Sequence, residues 1–173
     1  DQCLTMQADV ESPTGYGPRN GIIRPGSDPN KYMNIGKVNV STGEMKVIYS
    51  QPQGTNGSLL TTAGGLVFFG DLNRRFRALD AEDGKVLWEQ PVEAFRGMNI
   101  LTPLAIGETL FTSTYGGKTI GFKVVQSEGK FSIAQAWTHK AQGYMSTPVV
   151  IDGVAYTHLK NQRAMAIEIA TGR

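Results

Sequence analysis

A tight-turn pattern returns along this chain every forty-odd residues, and that period constrains the fold more than any other feature. Ser41-Thr42-Gly43, Glu82-Asp83-Gly84, Ser127-Glu128-Gly129 and Ala170-Thr171-Gly172 fall at intervals of 41, 45 and 43 residues. A second set of glycines, Gly65, Gly107 and Gly153, recurs at 42 and 46. An ungapped match sets 57–65 against 145–153, and Thr102-Pro103 matches Thr147-Pro148, which ties the middle copy to the last. Between the turns stand short runs rich in β-branched and aromatic residues: Leu66-Val67-Phe68-Phe69, Leu110-Phe111-Thr112-Ser113 and Val154-Ala155-Tyr156-Thr157. Four such runs within a period in the forties are the signature of a β-propeller blade.

The expected fold is therefore all-β: consecutive four-stranded antiparallel blades, called a to d within each copy, over residues 35–173. Helix should be nearly absent, because no window carries a convincing 3.6-residue apolar stripe. The best copy places its strands near 58–62, 66–69, 76–80 and 85–89. The next uses 100–105, 109–113, 119–124 and 131–137, and the last 147–151, 154–158 and 164–169. That makes two complete blades with partial ones on either side. Propellers close with at least four blades, so the segment is an incomplete propeller, expected to need the remaining blades or another chain to cover its open edges. Residues 1–34 differ. Pro13, Gly15, Gly17, Pro18, Gly21, Pro25, Gly26 and Pro29 interrupt any period, and the expectation there is an irregular Gly/Pro-rich arm.

Composition narrows the function classes. At 40% hydrophobic and 18% charged, the 173 residues can build a core. A formal charge of +2 without a concentrated basic stripe argues against nucleic acid as a partner. No apolar run approaches the ~20 residues of a membrane span, and no signal peptide is visible at the N-terminus. The lone Cys3 cannot form a disulfide within the chain, and neither cysteine nor histidine spacing suggests a metal site.

In an antiparallel blade the b–c turn and the d–a connection lie at the same end, where propellers commonly build ligand sites. The repeat places Asn56, Asn99 and Tyr144 equivalently in the d–a connections, pointing toward the channel axis. Asn56 is the candidate binding residue, since its amide can hydrogen-bond a carbonyl or carboxylate; Asn56-Gly57 can equally be only a turn into strand a. Arg74, Arg75, Lys118 and Arg163 of the b–c turns can meet an anion or form a solvated rim. His139 and His158 stand on different strands. Met98, Met145 and Met165 suit the core. No catalytic residue is assigned.

Ala78-Leu79-Asp80-Ala81-Glu82-Asp83-Gly84-Lys85-Val86-Leu87-Trp88 resembles the tryptophan-docking motif of pyrroloquinoline-quinone (PQQ) dehydrogenases, in which alanine, glycine and tryptophan of successive blades pack as a girdle. Ala78, Gly84 and Trp88 match it, and 20–90 looks like a late blade of such an enzyme with the segment before it. Residues 96–173 are more similar to the general PQQ-like propeller repeats: Gly129 is kept but the tryptophan slips to Trp137. The resemblance implies PQQ, with calcium in the parent enzyme, as the cofactor, with Asn56 contacting the quinone from the channel. It also implies a periplasmic or secreted parent. It lacks the family's adjacent cysteine pair and any assignable calcium or base set. Two readings stay open: a late-blade segment of a PQQ-dependent alcohol or sugar dehydrogenase, not catalytic alone, or a non-catalytic PQQ-like scaffold or binding module.

Overall fold

In the computed structural model, which describes residues 2–8, 16–23, 28–31, 33–55 and 57–173, the chain divides into two compact units, Asp1–Gly54 and Thr55–Arg173. The described secondary structure is antiparallel strand with two 3-10 turns, Pro29–Lys31 and Phe95–Gly97. The all-β expectation holds.

The first unit contains two hairpins. Strands β1 (Gln2–Ala8) and β2 (Tyr16–Ile23) pair with each other, as do β3 (Met33–Val38) and β4 (Met45–Gln51). Within 1–34, where an irregular arm is expected, the described residues include this first hairpin. Its ladder runs from Gln2 opposite Ile23 to Met6 opposite Arg19, then shifts register before Ala8 meets Tyr16. The irregularity absorbs Gly17-Pro18. A bulge tolerates a residue without an N–H, and each strand of a two-stranded sheet needs only one bonded edge. Glycine and proline thus mask the strand period without preventing the pairing.

The second unit holds three sheets in chain order. The first is β5 (Leu60–Thr61), β6 (Leu66–Gly70), β7 (Arg75–Asp80) and β8 (Val86–Pro91). The second is β9 (Leu104–Ile106), β10 (Thr109–Ser113), β11 (Thr119–Ser127) and β12 (Lys130–His139). The third is β13 (Val149–Ile151), β14 (Val154–His158) and β15 (Ala164–Glu168). Each is ordered a-b-c-d as a propeller blade requires, the third without d.

Three of the four repeated tripeptides close the same turn. The N–H of Gly84 donates to Asp80 O at 2.9 Å, and that of Asp80 to Lys85 O at 2.9 Å. Gly43 with Asn39 and Gly172 with Glu168 repeat the pattern, and all three glycines adopt φ near +75° (74–77°), where a side chain would be strained. Ser127-Glu128-Gly129 does not belong to this set. Glu128 and Gly129 form a two-residue turn, φ 50° and 75°, with Ser127 facing Lys130, the geometry of a tight hairpin between long strands.

That substitution explains the displaced tryptophan. Gly121 pairs with Trp137 as Ala78 pairs with Trp88, and a register shift follows in both ladders. The longer β11–β12 hairpin carries Trp137 further from its partner in sequence but returns it to the equivalent place.

Packing between blades follows the strand alternation. Leu66, Phe68, Phe76 and Ala78 of the first blade meet Leu110, Ile120 and Phe122 of the second in one buried cluster. Leu101 and Phe111 meet Ala155, Ile167 and Ile169 in another. Leu110 and Phe111 thus point to opposite neighbours, which is why β10 is buried at every position. Trp88, Val124, Phe131 and Ile133 close the first cluster. The indole N–H of Trp137 donates to Ile169 O of the next blade at 2.8 Å. Trp88 Nε1, by contrast, is buried with no partner among the described residues. On the second blade the position of Ile169 is taken by Val124, which faces Ile133 within the extended ladder; no tight turn presents a carbonyl there.

Candidate functional site

One end of the second unit gathers the b–c turns and the d–a connections, and backbone bonds tie each connection to the turn of the following blade. Phe95 N–H donates to Tyr115 O at 2.7 Å, and Tyr115 N–H to Met98 O at 3.2 Å. Lys160 N–H donates to Gln142 O at 3.0 Å, while Gln142 Oε1 accepts Gly116 N–H at 3.1 Å. Gly116-Gly117 is needed for this closeness, because a Cβ at either would run into 93–95. A directed relay follows: Gly143 N–H to Ser113 Oγ (2.6 Å), Ser113 to Thr119 Oγ1 (2.8 Å), Thr119 to Ala141 O (2.8 Å). These polar groups hold one blade to the next.

Aromatic rings line the same end. Phe95 and Tyr115 have centroids 5.8 Å apart, and Tyr115 and Tyr144 5.5 Å, both tilted. Arg96 lies over Phe95 at 5.2 Å and Lys160 over Tyr115 at 4.4 Å, each a cation on a ring face. Beside them, 139–142 and 159–161 line an open cavity of about 490 Å³.

A buried ion cluster fixes the b–c turn of the first blade. Asp71, 1% exposed, accepts the N–H groups of Asn73 (2.9 Å) and Arg75 (3.1 Å) with Oδ1 and pairs through Oδ2 with Arg77. Arg77 Nε also bonds Glu89 Oε2 at 3.1 Å, and Arg75 pairs with Glu89 Oε1 at 3.2 Å. Sequence reading missed this cluster because its members sit on three separate segments; the alternation that sets Arg77 opposite Glu89 was the available signal.

The sequence-nominated residues are dispersed. Asn56 lies outside the described residues. Asn99, expected near the axis, is 3% exposed and packs on Gly70, so closely that a Cβ there would strike the amide; it serves the blade contact. Tyr144 packs at a tilt against Tyr115. Arg74, Lys118 and Arg163 are exposed, and Arg75 is held by Glu89. His139 Nδ1 accepts the N–H of Ala141 at 3.1 Å, and His158 is exposed. Met145 is exposed, not core. Among the described residues no group of three His, Cys, Asp or Glu could hold a metal, and no helix is long and apolar enough to cross a membrane. Among the described residues the nominated groups are already engaged and do not fit a quinone: the Asn99 amide packs on Gly70 and donates to Arg75 O at 3.5 Å, and the Tyr115 ring is flanked by Tyr144 and Lys160.

A family model of PQQ-like repeats, described as outer membrane protein assembly factor BamB, matches residues 34–173. Among solved structures, BamB from Moraxella catarrhalis superimposes with a TM-score of 0.60 and 18% identity over 81% of this chain and 41% of its own. A quinohemoprotein alcohol dehydrogenase from Pseudomonas putida HK5 does so at 0.53 and 15% identity, over 70% of this chain and 20% of its own. Both likenesses concern the fold. A lanthanide-dependent methanol dehydrogenase from Methylacidiphilum fumariolicum (strain SolV) is 36% identical over 58 residues, 34% of this chain and 10% of that protein. The chain thus spans less than half the length of each of these proteins.

Proposed function

The chain belongs to the PQQ-like β-propeller repeat family, and on that premise we propose that it is a non-catalytic segment of a propeller serving as a scaffold and binding surface in the cell envelope, in the manner of an outer membrane protein assembly factor. The observation that carries this reading is the commitment of polar groups at the loop end to blade docking: Asn99 on Arg75 O, Gln142 on Gly116, Ser113 and Thr119 on 141–143. Envelope location, in the periplasm, follows from the same kinship. Further blades, from the same polypeptide or another chain, cover the apolar residues Val149, Ile151 and Tyr156, which are exposed on the last sheet. An uncovered blade face of this kind favours association.

A second reading rests on the 58-residue identity to a methanol dehydrogenase. It makes the chain the late blades of a quinone-dependent enzyme, with Asn56 touching PQQ. Dye-linked oxidation of primary alcohols and sugars, assayed with PQQ and calcium or a lanthanide, separates the two. The scaffold reading expects no turnover above the cofactor blank. Cofactor-dependent turnover overturns it.

A further inference from the structure

The formal charge of +2 conceals a separation of charge along the blades. The loop end of the second unit carries Arg74, Arg96, Lys118, Lys140, Lys160 and Arg163, all exposed. None of the six has a carboxylate partner among the described residues. Asp71 and Glu89, which lie nearby, are already neutralised by Arg77 and Arg75, which leaves Glu93 as the opposing charge in these segments. The opposite end, built from the a–b and c–d turns, holds Asp80, Glu82, Asp83, Glu128, Asp152 and Glu168, against Lys85, Lys130 and Arg173, while Glu108 there pairs with Lys123. Antiparallel topology sorts residues that alternate in the sequence onto two ends of opposite sign.

The basic end is also the aromatic end. Phe95 is half exposed beside Arg96, and Lys160 borders both the Tyr115 ring and the 490 Å³ cavity that Lys140 also lines. Aromatic rings and an arginine, here Arg96 over Phe95, are among the groups enriched where proteins bind one another. A positive field over such a patch selects and steers an anionic partner.

We propose that this end docks an acidic peptide segment of a partner protein, with carboxylates on Lys140 and Lys160 at the cavity and an apolar side chain against Phe95. The proposal deepens the scaffold reading and rests on it. A peptide fits better than a nucleic acid because the cations are spread over the turns and connections of three blades and the rings pack against one another at a tilt, leaving no row of open faces for bases. The cavity is of use to a side chain and of none to a flat lipid surface.

The test is fluorescence polarisation of the full chain with a fluorescein-labelled peptide of repeating Glu-Glu-Tyr. A Lys-Lys-Tyr peptide, duplex DNA and phosphatidylglycerol vesicles serve as rivals. The acidic peptide should bind, and added salt should weaken it. Lys140→Glu with Lys160→Glu should weaken it about tenfold or more, while Lys85→Glu with Lys130→Glu at the other end should not weaken it. All four lysines are exposed, and circular dichroism checks that the variants keep their fold. Equal binding by both double variants, no preference for the acidic peptide, or tighter binding of vesicles or DNA would overturn the proposal. Such a failure leaves the scaffold reading intact, since alcohol turnover decides that reading separately.

Discussion

The Trp137 ring rests against Gly172 of the following blade, so closely that a Cβ at that glycine would stand 2.5 Å from the ring. Gly172 also has φ +74°, so two constraints coincide there: left-handed backbone and no room. Gly172→Ala should cost about 2 kcal/mol or more, from overpacking together with left-handed strain. Gly129 has φ +75° but nothing within 4 Å of its would-be Cβ, so Gly129→Ala should cost only about 1 kcal/mol. Urea unfolding of the two variants side by side measures the difference.

The two tryptophans should respond differently to one substitution. Trp137 donates a hydrogen bond to Ile169 O, and Trp88 Nε1 has no partner among the described residues. Trp137→Phe therefore loses packing and a bond, and Trp88→Phe loses packing alone. The first should be more destabilising by about 1 kcal/mol, read from thermal midpoints; equal costs would mean that the indole bond contributes nothing.

Asp71→Ala should be among the most damaging single changes in the second unit. It takes the buried carboxylate from Arg77, only 9% exposed, leaving it the half-exposed Glu89, and removes the acceptor for two turn N–H groups. A loss of about 3–5 kcal/mol is expected for breaking such a pair. Glu89→Ala removes a half-exposed partner and should cost at most about 1 kcal/mol. Chemical denaturation of both variants orders them.

Gly70 and Asn99 should be coupled. Gly70→Ala drives a methyl into the Asn99 amide and should destabilise by about 1–3 kcal/mol. Adding Asn99→Gly makes room, so the double variant should lose less than the sum of the two single changes. Additivity in this cycle would contradict the packing of the two residues.

Much of the fold was legible in sequence because glycine turns and apolar runs repeat with it. The 109–113 and 154–158 strands fall where expected, since each is bounded by turn residues and faces a covered sheet. The β1–β2 hairpin was hidden because Gly17-Pro18 breaks the period that its bulge absorbs. Trp137 looked displaced because the tripeptide 127–129 shares a glycine with the docking turns but folds as a two-residue turn. Less of the candidate site was visible. Asn99 has the right position in the repeat, yet its amide packs on Gly70 and donates to Arg75 O, contacts with residues 29 and 24 positions away. Arg74, Lys118 and Arg163 were legible as a rim of the b–c turns, but Arg96 and Lys140, on the d–a connections, join them only once the strands fold.

The account turns on whether the loop end holds blades together or holds a cofactor, and titrating the full chain with PQQ and calcium, followed by tryptophan fluorescence and equilibrium dialysis, tests that most directly. Blade docking predicts no saturable binding, because the Asn99 amide and the Tyr115 ring are already engaged. Saturable submicromolar binding that is lost on Asn56→Ala would contradict it and return the chain to the quinone-dependent enzymes.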